Sequence, residues 1–117
     1  SPTFTVKQPG PPSKIEPADS QECVDKDVTS FLAGHIEDMQ SCTTSLGCRK
    51  DHVRTVTLLV GCNGPGGALM VLSHTDLKDY NQCMAEKGAA WDYSSLCTTE
   101  EGECAWTVAL EIECKMQ

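Results

Sequence analysis

The sequence predicts an α+β domain: a two-layer sandwich with an antiparallel sheet of three or four strands and two helices on one face, in βαββαβ-like order, closed by four disulfides. Three observations lead there. The apolar period alternates between helical and extended along the chain. A glycine-rich turn joins two of the extended segments. Eight cysteines, even in number and never adjacent, fall where elements end. A chain of 117 residues suits one domain, and with only 5% aromatics its thin core gains much from cross-links.

Residues 1–19 hold five of the six prolines and read as an extended, proline-rich arm or linker. Within it, Thr3-Phe4-Thr5-Val6 has the composition of an edge strand, the first β of the pattern. The single disulfide-stapled domain is then expected over 20–117. Asp19 or Ser20 is placed to cap a helix, with Glu22 completing a capping box. Val24, Val28, Phe31, Leu32, His35, Ile36 and Met39 recur at three- and four-residue steps, which predicts one helix over roughly 20–41. Cys42 and Cys48 follow in a Ser/Thr/Gly-rich loop.

From His52 the period becomes two. Val56, Leu58, Val60 and Cys62 share a side and predict a strand, ended by Asn63-Gly64-Pro65-Gly66-Gly67, where Asn-Gly supplies positive φ. Ala68–Leu72 returns as a second strand, apolar on both sides and so expected at the centre of the sheet. Ser73 or Thr75 can cap a second helix carrying Leu77, Tyr80, Cys83 and Met84, with Gly88 placed to stop it. After a loop over 89–103, Trp106, Val108, Leu110, Ile112 and Cys114 alternate with Thr107, Ala109, Glu111 and Glu113. That is a strand with one wet face.

Cys23, Cys42, Cys48, Cys62, Cys83, Cys97, Cys104 and Cys114 contain no C-x-x-C pair, which argues against zinc ribbons and redox motifs. Structural disulfides are expected, hence a secreted, extracellular protein. Spacing does not choose among the pairings. The chain opens on a polar segment without an apolar signal region and reads as a processed one. Its apolar runs, such as the one around Leu58-Leu59-Val60, are strand-sized, so no membrane span is expected.

The net charge of −8 supplies no basic footprint for nucleic acid or anionic membranes. No Lys or Arg lies between Lys87 and Lys115, where six acidic residues fall. A solvated face is the plain account of such a run, and a basic partner the functional one.

Catalytic signatures are weak. His35 sits at the rim of an apolar stripe, and His52 lies among Arg49, Lys50 and Arg54. His74 stands beside Asp76 and could serve acid–base chemistry with His52, but nothing in the spacing demands it. No nucleophile elbow, EF-hand or H-E-x-x-H motif occurs, and no cofactor or metal is expected. A binding role therefore leads. Its candidate contacts are Trp91 and Tyr93, as loop anchors or as plugs of the core, and the basic trio Arg49, Lys50 and Arg54.

The order of proline-rich arm, long helix, hairpin, second helix and final strand ending in Cys114 resembles small secreted cysteine-rich proteins of plant-associated fungi. More narrowly, residues 20–117 are similar in element order and cysteine placement to the α/β-sandwich of smut-fungus killer-toxin subunits. The resemblance implies a non-enzymatic effector or toxin-like protein that meets a protein partner or receptor on a host or competitor. It carries over no functional residue, since no local motif matches. The alternatives are a ligand- or protease-binding inhibitor from an animal parasite or venom, presenting loop 88–103, and a small hydrolase using His52 or His74.

Overall fold

The computed structural model describes residues 2–14, 27–47, 53–72, 77–97 and 103–116. Its elements are β1 (Pro2–Lys7), β2 (Ser13–Lys14), α1 (Val28–Ala33), α2 (Ile36–Ser41) continued by a 3₁₀ turn (Cys42–Ser45), β3 (Val53–Asn63), β4 (Gly66–Val71), α3 (Lys78–Ala89) and β5 (Glu103–Met116). The chain is therefore α+β.

Every strand pairing is antiparallel, and the sheet runs β1-β5-β3-β4, with the short β2 also bonded to β5. β1 and β3 flank β5, while β4 and β5 flank β3. Both strand–helix–strand units are thus split by an intervening strand, as the βαββαβ reading expected. Two described stretches of the proline-rich segment, Pro2–Lys7 and Ser13–Lys14, belong to this sheet. Thr3–Val6 lies within β1, which pairs with β5 from Pro2↔Met116 to Lys7↔Glu111.

The register explains the core. Val56↔Leu110, Leu58↔Val108 and Val60↔Trp106 are opposite partners across β3 and β5, and all six side chains are buried. Side chains alternate across a strand, so these pairs share one face. Phe4 and Val6 of β1 and Leu69 of β4 fall on the same face by register. Val28, Leu32 and Met39 from the first helices and Tyr80 and Met84 from α3 join them in one cluster.

Four expectations need correction. The helix predicted over 20–41 is, in its described part, two short helices broken at Gly34–His35. Asp27 caps α1, its carboxylate accepting from the Ser30 amide at 3.0 Å and the Ser30 hydroxyl at 2.8 Å. Asp19, Ser20 and Glu22 lie outside the described residues. Gly34 has poor helix propensity, and His35, at φ −117°, leaves the helix altogether.

The hairpin turn is Gly64-Pro65, with Asn63 still in β3 opposite Gly66. Gly64 alone takes a positive φ, 62°, which matches a two-residue turn with glycine first. Gly88 does not stop α3 but lies inside it, buried. A Cβ there would sit 2.5 Å from that of Leu69, so this is a packing glycine. Ser73 and Thr75 lie outside the described residues, and Leu77 caps α3 without a side-chain bond.

Finally, β4 is at the sheet's edge and not at its centre. The apolar residues that suggested burial on both sides leave Met70 56% and Leu72 45% exposed.

Two disulfides have both cysteines among the described residues. Cys42–Cys83 joins the 3₁₀ turn to α3, and Cys62–Cys97 joins the end of β3 to the segment after α3. Cys104 and Cys114 are also disulfide-bonded. Cys23 and Cys48 lie outside the described residues.

Candidate binding surface

The break at Gly34–His35 has a partner in the loop after α3. The His35 ring stacks on Trp91, centroids 4.1 Å apart and planes 13° from parallel. Phe31 meets His35 edge-on at 5.0 Å and packs against Tyr93 at 5.1 Å. The Trp91 Nε1–H donates to Asp38 Oδ2 at 2.7 Å, and the Tyr93 hydroxyl donates to the Gly88 carbonyl at 2.7 Å. Buried aromatics with a polar tip need such acceptors. Burial pushes the phenols of Tyr80 and Tyr93 up to about 12.

Trp91 is only 8% exposed and Tyr93 5%. Of the two roles the sequence leaves open for these loop aromatics, core plug or contact anchor, their burial is that of a plug. A partner cannot reach their faces without opening the domain.

The basic trio does not emerge as a described patch. Arg49 and Lys50 lie outside the described residues. Arg54 is half-buried on the core side of β3, opposite Ile112, and its buried Nε has no hydrogen-bond partner. A cation held against the core is a poor steering charge. His52 and His74 also lie outside the described residues, so the acid–base reading has no geometry to draw on. Among the described residues, no three His, Cys, Asp or Glu side chains are grouped to hold a metal. No helix among them is long and apolar enough to cross a membrane.

Asp92 forms a local turn. Its carboxylate accepts from the Ser94 amide at 2.9 Å, and this bond holds its carboxyl below the ordinary value. A crevice of about 260 Å³ lies between β1 and the first two helices, walled by Val6, Leu32, Ile36 and Met39.

The outer sheet face carries the feature that sequence reading missed. Leu59 of β3 is opposite Met70 of β4, and Gly61 is opposite both Ala68 and Ala105. Leu59, Met70, Gly61, Ala68 and Ala105 line a groove of about 530 Å³ at the hairpin end. Toward β1 the same face turns charged, with Lys7 opposite Glu111 and an exposed Lys115–Glu113 pair at 3.9 Å. The apolar run Ala68–Leu72 was the available signal. It predicts a central strand, because apolarity on both sides of a strand ordinarily means two covered faces.

The chain matches no protein-family model, no curated protein and no solved structure.

Proposed function

We propose that this chain is a secreted, non-enzymatic binding protein, an effector or killer-toxin-like molecule acting on a host or competitor through the aliphatic part of its outer sheet face. The observation that carries this reading is the placement of Met70 and Leu72, two of the three large apolar side chains left exposed among the described residues. Met70 lines a groove together with Leu59, Gly61, Ala68 and Ala105. Exposed apolar patches with polar surroundings favour protein contacts. An inhibitor presenting residues 88–103 has less support, because Trp91, Tyr93, Leu96 and Cys97 of that loop are buried.

The scaffold fits export. In this reading it is a two-layer sandwich with all eight cysteines paired, Cys23 and Cys48 taking Cys104 and Cys114 in one order or the other. Cys104 and Cys114 stand ten positions apart on one extended strand, which rules out a bond between them. Peptide mapping of the unreduced protein is expected to find four bridges and no free thiol.

The functional test compares the oxidised protein with Leu59→Lys and Ala105→Lys variants, both on the groove but off the sheet edge. Applied to host tissue or competitor cells, the variants are expected to lose the effect while keeping their disulfides. Full potency in both variants, or turnover of a substrate by the purified protein, would overturn the proposal.

A further inference from the structure

We infer that β4 pairs edge to edge with β4 of a second copy of this chain, forming an antiparallel dimer that continues the sheet. Three observations carry this. β4 is the terminal strand, and among the described residues no strand covers its outer edge. The Leu72 amide donates to the Thr57 carbonyl at 2.8 Å, so the even-numbered residues of β4 bond to β3. By the alternation of an antiparallel ladder, the amides and carbonyls of Gly67, Leu69 and Val71 then face away from the sheet.

The third observation is composition. Edge strands are normally guarded by lysine, proline, an inward charge or a bulge. Residues 66–72 read G-G-A-L-M-V-L and contain none of these. β1, the opposite edge, begins with Pro2, ends with Lys7 and is followed by Pro9. One edge is guarded and the other is bare.

A second copy suits this edge. The protein carries −8, so most of its surfaces repel their own kind, but residues 66–72 bear no charge to oppose self-pairing. A twofold axis through Met70 sets Met70 against its counterpart and Leu69 opposite Val71 in hydrogen-bonded pairs. Leu72 of each copy then lies over Ala68 of the other, large on small. Met70 and Leu72 of both copies then stand side by side on the outer face, which stays open to a partner. The outer faces merge into one surface presenting the groove twice, so a partner with two matching sites would gain avidity.

The test is sedimentation equilibrium of the oxidised chain alone over a dilution series, with amide exchange at both ends of it. A reversible monomer–dimer equilibrium is expected, with the Leu69 and Val71 amides protected only where dimer is present. Met70→Lys sets two ammonium groups side by side at the axis and is expected to raise the dimer Kd about tenfold or more. Val71→Pro removes an outward amide that β3 does not use, and is expected to do the same without unfolding the strand.

A chain that stays monomeric throughout, a dimer unaffected by both substitutions, or free exchange of those amides in the dimer would overturn the inference. Because no partner is present, failure here leaves the binding proposal standing. Leu59→Lys, which is off the edge, is expected to dimerise normally.

Discussion

Gly88 shows how one missing side chain can decide the placement of a helix. By propensity alone, Gly88→Ala in the last turn of α3 is favourable by about 1 kcal/mol. The added Cβ, however, lands 2.5 Å from the Leu69 Cβ on β4, and overpacking of this kind costs about 1–3 kcal/mol. The clash is between two backbone-anchored atoms, so rotamer changes cannot relieve it. The Gly88 carbonyl is also the acceptor for Tyr93. Gly88→Ala is therefore expected to destabilise the protein by about 1 kcal/mol or more in urea unfolding. A neutral or stabilising result would mean that α3 slides freely over β4. Gly67 is a parallel case, since a Cβ there would overlap the Tyr93 ring. Gly64 differs, because open space surrounds it and its φ of 62° is what excludes other residues. Gly64→Ala is expected to cost about 1–2 kcal/mol from backbone strain alone.

Strands and helices were not equally legible. β5 is legible almost residue by residue, because buried Trp106, Val108, Leu110, Ile112 and Cys114 alternate with outer residues without interruption. By sequence α1 and α2 look like one helix, because their apolar residues keep phase across Gly34 and propensity makes that glycine only a modest penalty. What stops the helix is tertiary: His35 leaves it to stack on Trp91, 56 positions on in the chain. No local pattern encodes that contact. Short helices of six residues are not stable by themselves, so the Cys42–Cys83 bridge, spanning 41 positions, is expected to matter most here. Chain-entropy arguments assign such a loop about 4 kcal/mol. The double variant Cys42→Ala/Cys83→Ala should lose that much in denaturant unfolding. A loss below about 1 kcal/mol would show that packing on Met39 and Tyr80 holds the helices unaided.

The candidate surface was illegible for a related reason. Apolarity at Ala68–Leu72 was visible, but whether a strand is central or terminal depends on pairings between distant segments, here β3 with β5 across Leu58↔Val108. The acid–base behaviour of the fold, by contrast, follows from groups whose surroundings are now in place. Asp27 and Asp92 are held below their ordinary 3.8 chiefly by backbone bonds from Ser30 and Ser94. A carboxyl depressed on folding contributes stability above its unfolded value and loses it as pH falls. Tyr80 and Tyr93 are raised by burial from 10.0 to about 12. An acid that is harder to ionise when folded contributes stability below its unfolded value, and that contribution is lost as pH climbs from 10 toward 12. The contribution of these four groups should therefore be fully present from above pH 3.8 up to pH 10 and be lost on either side. Thermal unfolding across a buffer series checks the shape. The double variant Tyr80→Phe/Tyr93→Phe assigns the alkaline limb: the fall between pH 10 and 12 should shrink when both phenols are gone. An undiminished fall in that variant would place its origin elsewhere than in these two rings.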